Sequence, residues 1–250
     1  MSAAEYHILS MKPSELHRQM FRLQVLNGTG IIGPLEASEE LKRSRFFIET
    51  MERFISSSET GEVKELEVGA HALSDDEKDE YWQWHYPIHW QDIFGVRIRS
   101  AFCAQLCSQV EATLGDIAHR VYVIERSVIE VRNLKGSTLE QHKLYLEAIA
   151  KFDSPPPELW KEMGFVFRIR NVHVHQQGYA GDLDSDRGFS QFLARLPDVS
   201  TQNNFIELKS GCCIALLGIT ERFQDALLKE YEAYRQRAQT LERLSGPPKV

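Results

Sequence analysis

Five polar side chains, Arg168, Arg170, Asn171, His173 and His175, fall within eight residues of the stretch FVFRIRNVHVHQQG (165–178), among apolar neighbours. A guanidinium holds anionic oxygens through a bidentate fork, and an imidazole moves protons near neutral pH. Charge set among apolar side chains is costly unless it is paired or used, so this stretch is the first place to look for chemistry. Within it Asn171 directly follows Arg170, and His175 lies five positions beyond the arginine. At about 100° per residue, Arg170 and His175 point about 140° apart on one helix. Asn171 and His175 are i and i+4 neighbours, so the amide can orient the ring. The plain alternative is a helix whose polar stripe faces water.

Other spacings carry less. Gly28, Gly30 and Gly33 spell GxGxxG, but Pro34 follows and the next pattern is helical rather than a strand ending in an acid, so the glycines read as a loop. His85 and His89 are separated by the helix-breaking Pro87 and have no third ligand nearby, which favours packing over metal binding. Read as a strand, His173-Val174-His175 resembles the paired ligands of a cupin barrel, yet no acid occurs between Gln176 and Gly181 and the flanking elements are long helices. Asp182, Asp184 and Asp186 resemble the start of a calcium loop, but Arg187 stands where glycine is needed and Leu193 where the glutamate is needed. No cofactor and no metal are expected.

The elements that must position Arg170, Asn171 and His175 are helices. A short one is expected over Ser14–Leu26 and a second over Ala37–Ile55, followed by an acidic hairpin or loop around Glu62–Val68. Ser74-Asp75-Asp76-Glu77 is a capping-box signature that starts a helix running to about His85. Ile98, Phe102, Leu106, Val110, Leu114, Ile117, Val121 and Ile124 form one apolar stripe on a helix of about thirty residues, with Arg97, Arg99, Glu111, Asp116 and Arg126 off it. A turn at Lys135-Gly136 and a second capping box at Ser137–Glu140 start the next helix, to about Ala150. Ser154-Pro155-Pro156-Pro157 then opens the helix that carries the polar stretch, with Leu159, Met163, Val166, Phe167 and Val174 on its buried side and Gly178 as its stop. A polar region over Asp182–Asn204, with a short helix near Phe189–Leu193, precedes a last helix from Ile206 to about Leu244.

The chain has 250 residues, 42% hydrophobic and 26% charged, an ordinary globular composition. Its net charge of −7 is that of Glu59–Glu80 alone, where nine acids face Lys64 and Lys78; the remaining 27 acids and 27 bases cancel. An acidic total therefore does not exclude a nucleic-acid partner elsewhere on the surface. The four cysteines, Cys103, Cys107, Cys212 and Cys213, lack disulfide-scaffold or CxxC spacing and read as reduced thiols. With no signal-like or membrane-spanning run, the expectation is a soluble cytoplasmic protein with no membrane partner.

The segment from about Phe94 to Gly178, with the final helix, resembles the HEPN superfamily of small helical domains. The resemblance rests on Arg170-Asn171-Val172-His173-Val174-His175, which fits that family's arginine, polar residue, then histidine motif. It is supported by the long helix before, the Lys135-Gly136 turn, Trp160 ahead of the motif and Gly178 beyond it. It implies an all-α fold, an up-down bundle of four to five core helices over 86–244; residues 1–85, a helical and acidic N-terminal extension of unknown role, lie outside the resemblance, and 245–250 form a tail. It also implies metal-independent cleavage of single-stranded RNA by a homodimer, with Arg170, Asn171 and His175 as the catalytic set. His175 would then serve as general base on a ribose 2′-hydroxyl or as acid on the leaving oxygen, and Arg170 would hold the scissile phosphate. Arg168 and His173 are secondary candidates for phosphate contact, and equally candidates for plain surface residues. Such a protein would be a toxin or defence effector, with an antitoxin or regulatory protein as a further partner. The competing expectation is a non-catalytic HEPN-like module that binds RNA, nucleotides or proteins.

Overall fold

The computed structural model describes residues 34–183 and 185–245, together with Arg22, Gln24 and Val25, which lie in a helix. The helix expected over Ser14–Leu26 falls mostly outside the described residues, and the glycine-rich stretch before Pro34 falls wholly outside them. The fold is all-α: among the described residues 78% are helical and 4% lie in strands. The elements in order are α1 (Pro34–Ala70), α2 (Asp75–His85), a π-helical segment (His89–Gly95), α3 (Val96–Glu125), a 3₁₀ turn (Val131–Asn133), α4 (Thr138–Tyr145) continued by a π-helical turn (Leu146–Ala150), α5 (Pro157–Gln176), α6 (Arg187–Arg195), strands β1 (Val199–Gln202) and β2 (Phe205–Leu208), and α7 (Cys212–Ser245). No helix among the described residues is long and apolar enough to cross a membrane.

Local sequence fixes several of these starts. The Ser137 backbone N–H donates to Glu140 Oε2 at 2.8 Å, and the Glu140 N–H returns to Ser137 Oγ at 3.4 Å, so two orphan donors of α4 are satisfied by the capping box. At α2 the Ser74 N–H donates to Glu77 Oε2 at 2.9 Å in the same way. Asp186 caps α6, accepting from the Phe189 N–H at 3.1 Å.

Three expectations are corrected. The acidic segment is neither hairpin nor loop, because α1 continues without a break to Ala70. Two of its hydroxyls bond back into the helix instead of ending it: Ser57 Oγ donates to the Phe54 carbonyl, and Thr60 Oγ1 to the Ser56 carbonyl. Tertiary partners of Glu59 and Glu62 then hold a stretch whose local propensity is poor. The last helix begins at Cys212 rather than Ile206, since Phe205–Leu208 pairs antiparallel with Val199–Gln202. Asn203 and Asn204 close that hairpin with φ of 50° and 63°, the left-handed pair that a two-residue turn requires. Finally, Val174 is 52% exposed, and the buried side of α5 runs through Trp160, Met163, Val166, Phe167, Ile169 and Val172.

The described residues gather into two compact units. One comprises those within Met1–Glu39, Ser108–Lys161 and Glu221–Val250; the other those within Glu40–Cys107 and Glu162–Thr220. In the first, Leu114, Ile117 and Val121 of α3, Tyr145 and Leu146 of α4, and Phe223, Leu227 and Tyr231 of α7 are buried, with Trp160 set edge-on to Phe223 at 4.8 Å. In the second, the core is built from Leu41, Ile48 and Ile55 of α1, Phe102 and Leu106 of α3, Met163, Val166 and Ile169 of α5, Phe189 of α6, and Ile206 and Leu208 of β2.

The second unit is tied together by Arg99, which is 2% exposed. Its Nε and Nη2 donate to the two oxygens of Glu52 on α1 at 2.7 and 2.8 Å, Nη2 also to Gln91 Oε1 at 3.0 Å, and Nη1 to the Leu208 carbonyl of β2 at 3.2 Å. One guanidinium thereby joins α1, the π-helical segment, α3 and β2. Gly95 leaves room for it, as a Cβ there would lie 2.8 Å from Arg99 Nη1. Placing Arg99 outside the apolar stripe was therefore incorrect: position 99 points inward and its charge is answered by Glu52.

Candidate functional site

The motif residues all lie on α5 within the second unit. The helix forms because Met163, Val166, Ile169 and Val172 recur three residues apart and bury one side, so the strand-like alternation of FVFRIRNVHVH is not realised. It ends at two consecutive left-handed residues, Gln177 with φ of 51° and Gly178 with φ of 93°. The Gly178 N–H caps the Val172 carbonyl at 3.1 Å, and its own carbonyl accepts from Ile206 N at 2.9 Å. A Cβ at Gly178 would meet the Ile206 carbonyl at 3.3 Å, so glycine serves both the turn and the close approach of β2.

Burial of that side leaves three different environments for the polar residues. Asn171, Val174 and His175, spaced i, i+3, i+4, are exposed together on the outer face. Arg170 is half-buried on a flank, its guanidinium carbon 5.4 Å from the centroid of the Phe167 ring. The Cys103 thiol is pushed well up by Cys107 and by burial, with the Arg170 charge pulling the other way. Asn171 and His175 are thus brought to one face of α5, and Arg170 to another.

His173 shares the Arg170 flank. Its Nδ1 is 3.2 Å from Ser100 Oγ on α3. The Ser100 hydroxyl spends its only proton on the Val96 carbonyl at 2.7 Å, so it accepts from His173, and Nδ1 carries the ring hydrogen. The opposite nitrogen, Nε2, then holds a lone pair, buried and with no hydrogen-bond partner among the described residues. Burial lowers the His173 pKa from its ordinary value, which keeps the ring neutral. Arg168 is also committed: it pairs with Asp186 and lies over the Phe189 ring at 4.1 Å. Asp186 is held below the usual carboxylate range by the Phe189 N–H and then by Arg168. Arg168 and His173 therefore tie α5 to α6 and to α3.

Two structural features escaped the sequence reading, the buried place of Arg99 and the partner of His173. Arg99 sits four residues before Cys103 and three before Phe102, both fully buried, so its place within the stripe's own periodicity was the available signal. The Ser100–His173 pair, 73 residues apart, left no local signal.

Elsewhere in this unit, His85 donates Nδ1–H to the Tyr81 carbonyl at 2.8 Å, and His89 Nε2 lies 3.2 Å from Glu62. No group of three or more His, Cys, Asp or Glu residues is placed to hold a metal ion among the described residues. A cleft of about 300 Å³ between α6 and the hairpin is lined by Ser190, Leu193, Val199, Thr201, Asn203 and Asn204, without charge and without any motif residue. Comparison of the chain with family models, with curated proteins and with solved structures finds no match.

Proposed function

We propose that the chain is a metal-independent endoribonuclease of HEPN type, acting as a homodimer on single-stranded RNA. The supporting observation is the exposed Asn171–His175 face of α5, with Arg170 held on the adjacent flank. A single α5 does not aim guanidinium and imidazole at one phosphate, whereas the same helix from a two-fold related copy supplies the missing partner. His175 takes the proton of a ribose 2′-hydroxyl, whose oxygen attacks the adjacent phosphorus. Arg170 stabilises the charge that develops on the phosphoryl oxygens, and the 5′-oxygen leaves with a proton, giving a 2′,3′-cyclic phosphate. Asn171, one helical turn before His175, orients the ring. In this reading the protein works in a reducing cytoplasm as a toxin or defence effector, restrained by an antitoxin or regulatory protein.

Purified protein incubated with unstructured RNA in EDTA tests it. Wild type yields fragments ending in cyclic phosphate, and Arg170→Ala and His175→Ala each lose about 10²–10⁴-fold in rate. Mixing the two inactive variants restores cleavage, because a hybrid dimer rebuilds one complete site. Intact RNA with the wild type, or equal rates for wild type and both variants, replaces this reading with the non-catalytic module. That alternative draws on the Arg170 guanidinium, which lies against Phe167 as a packing arginine would.

A further inference from the structure

The second unit carries a second feature, unrelated to α5. Glu59 and Glu62, about one turn apart on α1, collect the polar ends of the segment that follows α2. Trp90 Nε1 donates to Glu62 Oε2 at 2.7 Å, Gln91 Nε2 to Glu59 Oε2 at 2.7 Å, and Tyr86 Oη to Glu59 Oε1 at 3.3 Å. Gln91 also accepts from the buried Arg99, so the arrangement is anchored in the core.

With their polar ends held, the rings present their carbon surface. Trp90 stacks on Phe94 at 5.3 Å and meets Phe54 edge-on at 5.9 Å. Yet Phe54 remains 54% exposed and Phe94 49%, with Ile93 as open as Phe94. Phe47, two turns before Phe54 on α1, is 45% exposed and extends the surface along the helix. Large rings held rigid and left in water mark a surface that another molecule covers.

Charge selects what that molecule is. Trp, Gln and Tyr donors satisfy lone pairs of Glu59 and Glu62 without cancelling their charge, and His89, 3.2 Å from Glu62, offsets it only when protonated. The same stretch, Glu59–Glu80, carries −7. Nucleic acid and anionic lipid surfaces are repelled by such a field, and a neutral apolar partner would leave the carboxylates' charge unanswered. We infer that the Phe47–Phe54–Trp90–Phe94 face is a docking surface for a cationic amphipathic protein segment, whose apolar side chains cover the rings while its Lys and Arg residues meet Glu59, Glu62 and the acids beyond. The inference is independent of the ribonuclease reading, since none of these residues belongs to α5.

The test is fluorescence anisotropy with a labelled amphipathic helical peptide of leucine and lysine, and its leucine and glutamate counterpart. The cationic peptide binds the full chain and the anionic one does not. Binding weakens with added salt, and the double variant Phe54→Ser/Phe94→Ser loses about tenfold or more in affinity with its helical circular dichroism unchanged. Asp75→Asn/Asp76→Asn, in which α2 loses charge away from the rings, loses less than the aromatic variant. Equal binding by wild type and the aromatic variant overturns the proposal. So does sedimentation showing that the aromatic variant turns a dimer into a monomer, which would make a second copy the occupant, or competition for this face by single-stranded RNA.

Discussion

Glu52→Gln is the sharpest probe of how the second unit holds together. The substitution keeps the side-chain shape and removes the charge that answers Arg99. Both N–H donors on that side, Nε and Nη2, bond to the carboxylate, and the side chains are 2% and 13% exposed. With glutamine one carbonyl oxygen remains to accept, while the amide nitrogen confronts a guanidinium N–H. Removing one partner of a buried pair costs about 3–5 kcal/mol because the remaining charge keeps its desolvation penalty. By contrast, an exposed pair such as Arg45–Glu49 on α1 is worth about 0–1 kcal/mol. For a chain of this size 3–5 kcal/mol corresponds to a fall of about 6–20 °C in melting temperature. Urea titration followed by circular dichroism gives the loss directly, with Glu49→Gln as the exposed control. The joint change Glu52→Leu/Arg99→Met removes both charges and recovers most of the stability. If Glu52→Gln loses no more than Glu49→Gln, or if the joint change is no better than Glu52→Gln alone, then Arg99 does not depend on Glu52 and the account of this core is wrong.

Two further outcomes follow from the same packing. Burial holds the His173 pKa below 6.5, so the unfolded chain binds the proton more readily than the folded one; this contribution to stability is present above about pH 6.5 and is lost as the pH falls below it. His173→Gln should flatten the urea midpoint against pH below about pH 6.5, and an unchanged slope would refute the assignment. Cys103 and Cys213 are fully buried, their thiols pushed up chiefly by hydrogen bonding to Cys107 and Cys212 and then by burial. They should react with a thiol reagent only at the rate of unfolding, whereas rapid labelling in native buffer would show the core to be open.

Much of the fold was legible because its signals are local. The stripe from Ile98 to Ile124 sets α3, observed as Val96–Glu125, and each capping box starts its helix within a residue of the sequence reading. The motif's register was equally readable: 3.6 residues per turn alone place Asn171 and His175 on one face and Arg170 on another. Tertiary structure decided what each polar residue is for. Only the approach of α1 makes Arg99 a buried tie instead of a surface charge, and only α3 and α6 supply the partners of His173 and Arg168. The β-hairpin formed although Phe205–Leu208 suits a helix, because pairing with Val199–Gln202 buries Ile206 and Leu208. The acidic end of α1 stayed helical because Tyr86, Trp90 and Gln91 bring donors from a later segment. The chain's own order fixes periodicity and caps, which depend on neighbours a turn away. The value of a buried charge or an exposed ring depends on groups tens of residues distant, and these meet only when the helices pack.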